Sequence, residues 1–183
     1  MYILNTERLI LRQWRESDSH DLYEYAKSDL VGPNAGWKPH KNEAESKRII
    51  KMFIKNNTYA IVLKSENKVI GAIELRKRKP DEKLYNLKQR EIGYVLNPKY
   101  WGNGYMPEAV NALLNYAFNE LKLDLIWCCH FDFNNNSKRV IEKCGFQYDG
   151  HLCKFKKLYD GRIIDADFYS MTKEDYERKK RYE

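Results

Sequence analysis

The sequence predicts an α+β fold in which helices flank one mixed β-sheet. Two pairs of predicted strands are joined by polar turns, at residues 65–67 and at Asp160-Gly161, and each pair predicts an antiparallel hairpin. A strand over 87–97 also leads through a glycine loop and a helix into an apolar strand over 124–132. A crossover of this kind brings its two strands together in parallel. The predicted order, before a charged terminal helix, is β-α-α-β-β-β-α-β-α-β-β.

The first part of the chain supplies one strand, two helices and the first hairpin. LILRQW (9–14) alternates as a strand does, and SDSHDLYEYAKS (17–28) opens with a serine or aspartate that can cap a helix. VGPNAGWKPH (31–40) predicts a loop because it holds two glycines and two prolines. The hairpin follows as TYAIVLKSENKVIGAIELRKR (58–78). A helix over NEAESKRIIKMFIKN (42–56) would bury the apolar residues Ile49, Ile50, Phe53 and Ile54.

The middle of the chain holds the glycine loop and the helix after it. KPDEKLYN (79–86) predicts a polar connection, and Pro98 ends the strand that follows it. Pro107 fits the first turn of the next helix, where its missing N–H costs nothing, and we expect this helix to reach about residue 121. Its apolar positions at helical spacing are Met106, Val110, Leu113, Leu114, Ala117 and Leu121.

The last part of the chain predicts a central strand, a short helix and the second hairpin. DLIWCCHFD (124–132) is mostly apolar and predicts a strand in the centre of the sheet. NNNSKRVIEKCGF (134–146) predicts a helix that Gly145 ends. The two strands of residues 147–171 and a charged helix over 172–183 complete the chain.

Composition predicts one globular domain over residues 1–183. Apolar residues make up 43% of the chain and charged residues 32%, which is typical of a globular protein and not of a disordered one. The first residues lack the basic and apolar regions of a secretory signal, and no apolar run has the length of a membrane span. The spacing of the cysteines fits neither a disulfide framework nor a zinc site, so we expect a cytoplasmic protein with reduced thiols at Cys128, Cys129, Cys144 and Cys153.

The formal net charge of +7 would attract polyanions, including nucleic acid. The basic residues are scattered, however, with the densest runs at 76–79 and 178–181 and others at Lys138, Arg139 and Lys143. This scatter favours a solvated basic surface over dedicated nucleic-acid binding, and a phosphorylated cofactor would use only a few of these charges.

WGNGYMPEA (101–109) places two glycines immediately before a helix. The first N–H groups of a helix have no intrahelical partner and carry partial positive charge, so glycine there allows an anion to approach the backbone. A tight loop entering a helix explains the same residues. The motif matches neither the dinucleotide-binding pattern GxGxxG nor the P-loop pattern GxxxxGK[ST], so both of those functions are poorly supported.

Two segments carry a resemblance to a known family. EIGYVLNPKYWGNGYMPEAVNALLNYAF (91–118) and NNNSKRVIEKCGF (134–146) are similar to the GNAT acetyltransferases, and TERLILRQWRESD (6–18) and DGRIIDADFYSM (160–171) resemble the Rim-type branch that includes ribosomal-protein N-acetyltransferases. The resemblance implies a mixed, mostly antiparallel central sheet flanked by helices. It also implies acetyl-CoA as co-substrate, no metal, an amine acceptor and a possible homodimer.

The resemblance implies two groups of cofactor-binding residues. The family's loop motif falls on Trp101, Gly102, Asn103, Gly104, Tyr105 and Met106, where backbone N–H groups would bind the pyrophosphate. Gly104 matches the motif, whereas Trp101 and Met106 depart from it, and Met106 stands where the family has a small residue. The pantetheine arm would pair with the backbone of Tyr94, Val95 and Leu96 and contact Asn134, Ser137 and Lys143. Helix capping is an alternative role for Asn134 and Ser137.

The resemblance also suggests catalytic and acceptor-binding residues. Glu91 is the candidate general base, and its alternative role is a surface ion pair with Arg90 or Lys88. Many relatives use a tyrosine as general acid, but Ile141 holds the aligned position here, so Ser137 is the remaining candidate. A strand N–H of Val95 or Leu96 would stabilise the oxyanion. Trp37 and His40 would border the acceptor, or would only pack the loop that contains them.

The function predicted from these features is N-acetyl transfer from acetyl-CoA to a primary amine, by direct attack in a ternary complex. The acceptor would be a protein N-terminus or a small-molecule amine. A route through an acyl-cysteine at Cys128 or Cys129 is less favoured than a core role for these thiols. The alternatives are a non-catalytic CoA-binding module and a basic ribosome- or RNA-associated protein. We expect no membrane partner, and nucleic acid only through a ribosomal substrate.

Overall fold

The computed structural model describes residues 1–77 and 82–182. Arg78 of the first predicted hairpin, and Lys79, Pro80 and Asp81 of the predicted polar connection, lie outside the described residues. The strands are β1 (Leu4–Asn5), β2 (Leu9–Gln13), β3 (Tyr59–Leu63), β4 (Lys68–Arg76), β5 (Gln89–Leu96), β6 (Leu125–Phe131), β7 (Gln147–Lys157) and β8 (Ile163–Thr172). The helices are α1 (Ser19–Ala26), α2 (Gly32–Ala35), α3 (Glu43–Asn56), α4 (Tyr105–Asn119), α5 (Asn135–Lys143) and α6 (Lys173–Tyr182).

The strands form one eight-stranded sheet in the order β1-β2-β3-β4-β5-β6-β8-β7. The pairs β1–β2, β2–β3, β3–β4, β6–β8 and β7–β8 are antiparallel, and β5–β6 is parallel. The prediction of a mixed, mostly antiparallel sheet is therefore confirmed. Both hairpins and the parallel crossover lie where the sequence predicts them. The apolar strand predicted over 124–132 is central, because β6 has β5 on one side and β8 on the other.

The chain divides into two compact units, one of Met1–Glu74 with Tyr94–Ala112 and one of Leu75–Gly93 with Leu113–Glu183. The single domain over 1–183 stays a prediction. In the first unit, apolar side chains of β2, β3, β4, α1 and α3 build one core. Ile50 is fully buried in it, and Ile49, Phe53 and Ile54 pack against it, as the predicted apolar face of α3 requires. The core therefore holds α1 and α3 against the sheet.

In the second unit, α6 is docked by aromatic stacking. The rings of Phe118 on α4 and Tyr176 on α6 stack with their centroids 5.0 Å apart, and Lys179 donates a hydrogen bond to the Cys144 carbonyl. Gly145 follows α5 with a φ of 82°, so this residue ends the helix as predicted. A second apolar cluster formed by Phe131, Leu158, Ile164 and Ala166 packs one face of β6, β7 and β8.

The structure differs from the prediction at three places. β1 was not expected, and the loop predicted over 31–40 contains the four-residue helix α2, which Gly36 ends with a φ of 82°. The helix predicted to reach about residue 121 ends two residues earlier, at Asn119, and Leu121 is 42% exposed. Lys122 has a φ of 53°, and this left-handed backbone prevents another helical turn. Periodicity alone cannot detect such a local reversal.

The residue at the predicted N-cap of the first helix uses its side chain for other contacts. Asp18 occupies the N-cap position of α1, but its side chain makes no capping hydrogen bond. Its carboxylate instead accepts two hydrogen bonds from Arg12 and one from the Arg15 N–H, at 2.8–2.9 Å. No helix within residues 1–77 and 82–182 has the length and apolarity that crossing a bilayer requires.

Candidate active site

In the first unit, the end of β5 is fixed against β4 by close backbone packing. A Cβ placed on Gly71 would overlap the carbonyl oxygen of Val95, so the two strands approach to a distance that only glycine permits. Asn97 is buried, and its N–H donates to the Ile70 carbonyl at 2.8 Å. The backbone of Tyr94, Val95 and Leu96, the predicted pantetheine-binding residues, is therefore held in place.

The loop after β5 is closed by side-chain hydrogen bonds to its own backbone. The indole Nε1 of Trp101 donates to the Leu96 carbonyl at 3.0 Å, and Asn103 Nδ2 donates to the carbonyls of Tyr100 and Trp101 at 3.3 and 3.1 Å. Gly102 and Gly104 have φ values of 82° and 78°, in the left-handed region that glycine adopts without strain. The backbone from Gly102 to Gly104 is exposed. Trp101 thus secures the loop through its ring nitrogen.

Helix α4 begins directly after this loop. The Gly104 carbonyl accepts the N–H of Glu108 at 3.2 Å, which is the first intrahelical bond. The N–H groups of Tyr105 and Met106 precede it and have no acceptor within the helix. Met106 is 3% exposed, so its side chain packs in the interior, although the family motif has a small residue at this position. Met106 therefore belongs to the buried side of α4, whereas Gly102, Asn103 and Gly104 before it are exposed.

Glu108, in the first turn of α4, connects the helix to the segment between β1 and β2. Its carboxylate accepts hydrogen bonds from Thr6 Oγ1 at 2.6 Å, from the Arg8 N–H at 2.9 Å and from Arg8 Nε at 2.7 Å. Burial alone would raise the pKa of Glu108, but these hydrogen bonds and the Arg8 charge outweigh it and lower the pKa. Glu108 is therefore a carboxylate whose charge Arg8 neutralises.

Arg8 also contacts the glycine loop itself. Its Nη1 donates to the Asn103 carbonyl at 3.0 Å, and its guanidinium carbon lies 4.5 Å from the centre of the Tyr105 ring. A Cβ on Gly104 would lie 3.5 Å from Arg8 Nη2. The exposed loop backbone, the helix N-terminus and this guanidinium together fit a phosphate group. Sequence reasoning missed the roles of Arg8 and Glu108, because the two residues are 100 positions apart.

A second charged cluster supports the connection between β5 and the loop. Glu24 on α1 accepts hydrogen bonds from Lys68 Nζ at 2.5 Å, Lys99 Nζ at 2.9 Å and Asn97 Nδ2 at 3.2 Å. The Lys68 ammonium has the largest effect, and with Lys99 and Asn97 it lowers the pKa of Glu24 from 4.5 to about 2 despite burial. Asn97 and Lys99 are thereby tied to α1.

We expect acid to destabilise the protein partly through Glu24. Because its pKa is lower in the folded state, its contribution to the free energy of unfolding is complete above pH 4.5 and is lost as the pH falls towards 2. The expected contribution is about 2–3 kcal/mol. Urea unfolding at pH 7, 4.5 and 3 should therefore show a smaller acid-induced loss in Glu24→Gln than in the wild type. Glu7→Gln, at an exposed carboxylate, is the control; equal losses in all three proteins would contradict the prediction.

The predicted acceptor residues Trp37 and His40 lie next to each other in the first unit. Their ring centroids are 5.2 Å apart, and Trp37 packs against the core of α1 and α3. His40 Nδ1 lies 2.9 Å from Ser46 Oγ, and burial lowers the pKa of the imidazole. These contacts support a packing role for His40. A role for Trp37 at the acceptor stays a proposal.

In the second unit, Glu91 is a buried strand residue. Its side chain is 1% exposed, and Oε1 lies 3.6 Å from Arg76 Nη1. The alternative of a surface ion pair with Arg90 or Lys88 is therefore wrong, because the carboxylate points to the interior. The guanidinium of Arg76 packs against Gly93, where a Cβ would come within 2.6 Å of it. Arg76 belongs to the basic run at 76–79, but its sequence position does not indicate this partner.

The neighbouring strand β6 carries the two adjacent cysteines. Cys128 is buried, and burial raises the pKa of its thiol well above the ordinary value, with a further contribution from the charge of Glu91. A thiol held in its neutral form is a poor nucleophile. This supports a core role for Cys128.

The remaining predicted cofactor residues lie on α5. Asn134 is the N-cap of this helix, and its Oδ1 accepts the Ser137 N–H at 3.1 Å, so the two residues are brought together by capping. Both are partly exposed, and Lys143 is exposed in the last turn. Ile141, at the position where many relatives have a tyrosine, is 1% exposed and packs in the core. A cofactor role for Asn134, Ser137 and Lys143 stays a prediction.

Comparisons with known proteins identify the family. Residues 8–147 match the model of the acetyltransferase (GNAT) domain. The chain is 29% identical over 182 residues to the uncharacterized N-acetyltransferase p20 of Bacillus licheniformis, covering 96% of this chain and 99% of p20. Over 106 residues it is 33% identical to the putative ribosomal N-acetyltransferase YdaF of Bacillus subtilis, covering 53% of this chain and 55% of YdaF.

A solved structure gives the same assignment. The crystal structure of a GNAT-family acetyltransferase from Bacillus anthracis superimposes with a TM-score of 0.84 at 27% identity, covering 94% of this chain and 99% of that one. The eight-stranded mixed sheet agrees with this match. The chain therefore belongs to the GNAT family and is an N-acetyltransferase.

Proposed function

We propose that this protein transfers the acetyl group of acetyl-CoA to a primary amine, which is a protein N-terminal α-amine or a small-molecule amine. Acetyl-CoA supplies a thioester whose carbonyl carbon the amine attacks. The observation that carries the proposal is the loop between β5 and α4, with left-handed Gly102 and Gly104, an exposed backbone and the guanidinium of Arg8 against it. These groups would hold the pyrophosphate, and Trp101, Asn103, Tyr105 and Met106 would complete the binding segment.

The pantetheine arm would pair with the backbone of β5 at Tyr94, Val95 and Leu96. Val95 is well suited to this role, because its carbonyl is fixed by the close approach of Gly71. Asn134, Ser137 and Lys143 on α5 would add polar contacts and one positive charge. Capping already fixes the orientation of the Asn134 side chain.

Glu91 would remove a proton from the attacking amine. An α-amine has a pKa of about 8 and a lysine amine one of about 10.4, so an α-amine needs less assistance from a base. Because Glu91 is 1% exposed, the proton would reach its carboxylate through a water molecule. An N–H of Val95 or Leu96 would stabilise the oxyanion, and Ser137 would protonate the leaving thiolate.

Direct attack in a ternary complex is preferred to an acyl-cysteine route. The route through cysteine needs a thiolate, whereas burial keeps Cys128 protonated. The acceptor assignment draws on YdaF, a relative named as a putative ribosomal N-acetyltransferase, which favours a protein N-terminus. Trp37 would border that acceptor. A cytoplasmic location and a homodimer belong to the same proposal.

The test is acceptor-dependent release of CoA. The protein would be mixed with acetyl-CoA and a panel of N-terminal peptides, their Nα-acetylated forms, lysine and polyamines, and the CoA thiol followed by a colorimetric reagent. A blank without acetyl-CoA corrects for the four cysteines of the protein. We expect release with at least one α-amine peptide and none with its acetylated form.

The binding part of the proposal is tested separately by thermal unfolding with CoA. The wild type should be stabilised by CoA, and Gly104→Val should lose this stabilisation, because a β-branched residue is strained at a φ of 78°. Asn57→Ala changes another left-handed position, at the end of α3, and is the control for backbone strain. If CoA stabilised none of the proteins, the pyrophosphate role of the loop would be wrong.

A further inference from the structure

One face of the second unit carries a row of chemically reactive side chains that acetyl transfer does not use. The strand register places His130 of β6 and His151 of β7 on either side of Asp167 of β8. Asp165 is two residues before Asp167 and therefore points to the same face of the sheet. Cys153 is two residues after His151, in a segment where the pairing of β7 with β8 shifts between Leu152 and Lys156. All of these residues lie within the second unit.

Three of these side chains bring ligand atoms together. The His151 Nε2 and the Asp165 Oδ2 are 3.2 Å apart. One ligand atom each from His151, Cys153 and Asp165 lie within 4.8 Å of one another. Ligand atoms bound to a tetrahedral Zn²⁺ at about 2.0–2.3 Å lie roughly 3.3–3.7 Å apart, so the widest separation within the cluster has to shrink by about 1 Å when the ion binds. His151 and Cys153 are exposed and have room for the side-chain rotations that this requires.

The surrounding groups orient two of the three ligands. Asp167 Oδ1 lies 2.9 Å from His151 Nδ1, which leaves Nε2 directed towards Asp165. The backbone N–H of Lys154 donates to Asp165 Oδ1 at 2.7 Å, leaving Oδ2 on the side of His151. A carboxylate behind a histidine ligand and a hydrogen bond to a carboxylate ligand are the supports found in zinc sites.

We propose that His151, Cys153 and Asp165 form a Zn²⁺-binding site on the exposed face of the β7–β8 hairpin. A neutral imidazole, a thiolate and a carboxylate suit this borderline metal, and their combined charge of −2 balances it. Mg²⁺ and Ca²⁺ prefer sites in which every ligand atom is oxygen. The Cys153 thiolate therefore makes this site unsuitable for either ion. Three protein ligands leave the fourth position to water or to an external ligand. Sequence spacing does not indicate the site, because Asp165 comes from the neighbouring strand.

The experiment uses the full chain without a polyhistidine tag, first stripped of metal by a chelator. Co²⁺ is titrated as a spectroscopic substitute, and Zn²⁺ affinity is measured by competition with a colorimetric chelator. We expect one equivalent of Co²⁺ to produce a thiolate-to-metal absorption band, and one equivalent of Zn²⁺ to remove it. Zn²⁺ should also slow alkylation of Cys153, with the modified position located by mass spectrometry.

Matched variants distinguish binding at this site from nonspecific metal binding. Cys153→Ser should lose the thiolate band and bind Zn²⁺ at least tenfold more weakly, and Asp167→Asn should weaken binding about 10–100-fold through His151. Cys129→Ser, on β6, and Asp160→Asn, in the β7–β8 turn, should bind like the wild type. Circular dichroism checks that each variant is folded, and Cys153→Ser changes only an exposed thiol.

Two outcomes would overturn the site. One is the absence of a thiolate band in the wild type at one equivalent of Co²⁺. The other is Zn²⁺ affinity that is equal in the wild type, Cys153→Ser and Asp167→Asn. Because none of the three ligands belongs to the proposed catalytic or cofactor-binding residues, a negative result leaves the proposed acetyl transfer unaffected.

Discussion

Glu91→Gln should lower kcat for an α-amine acceptor about 10²–10³-fold at neutral pH and leave the KM for acetyl-CoA nearly unchanged. The amide has the shape of the carboxylate but cannot accept the proton, and general-base catalysis typically contributes 10²–10⁴-fold. The measurement is initial-rate CoA release at several pH values. The deficit should shrink as the pH rises past about 8, because the α-amine then loses its proton without the base.

Two further measurements show whether Glu91 acts in catalysis or only in the fold. Arg76→Gln removes the guanidinium that lies 3.6 Å from the Glu91 carboxylate but keeps the carboxylate itself, so it should change kcat much less than Glu91→Gln. Thermal unfolding of Glu91→Gln reports any loss of stability. Full activity of a folded Glu91→Gln protein would remove this residue from the mechanism, and an equal deficit at every pH would argue for a positioning role.

Glu108→Ala should have the largest effect on stability and also weaken acetyl-CoA binding. It removes the acceptor of three hydrogen bonds from Thr6 and Arg8, and it leaves the Arg8 guanidinium without its carboxylate. Because Arg8 is 41% exposed, the expected loss is about 3 kcal/mol and not the full value for a buried pair. Urea unfolding measures this loss in the free energy of unfolding. A loss of this size should lower the melting temperature by roughly 6–12 °C.

The effect on function follows from the second contact of Arg8. Once Glu108 is absent, the guanidinium is no longer held in the position from which it bonds to the Asn103 carbonyl, so the KM for acetyl-CoA should rise. Glu120→Ala, at an exposed carboxylate just after α4, is the matched control for both measurements and should show neither change. A loss of stability with an unchanged KM would show that the cluster supports the fold only. No change in either would contradict the cluster itself.

Local chemistry decides the elements that the sequence predicts correctly. The apolar alternation of 9–14, the Asp160-Gly161 turn and the left-handed Gly145 each predict an element that the structure contains. The sequence gives only the approximate end of α4, because the left-handed backbone at Lys122 leaves no sign in the apolar periodicity. The predictions fail for β1, whose two residues are too few to produce a pattern.

The candidate site divides in the same way. The loop from Trp101 to Met106 and the capping pair Asn134 and Ser137 can be found from the sequence, because each is a contiguous segment with a defined backbone role. The sequence does not show which distant residues contact functional positions such as these. Arg8 is tied to the glycine loop, and Arg76 to Glu91, by contacts between residues far apart in the chain.

The sequence by itself therefore determined the order of strands and helices except for the short elements β1 and α2, together with the glycine loop before α4 and the resemblance to the GNAT family. These depend on periodicity, turn residues and short motifs, which act over a few neighbouring positions. Only the tertiary structure decided that Glu91 is buried, that Met106 points inward, and that His151, Cys153 and Asp165 meet on one face. Burial and ion pairing depend on which strands become neighbours, and strand pairing is a property of the whole chain.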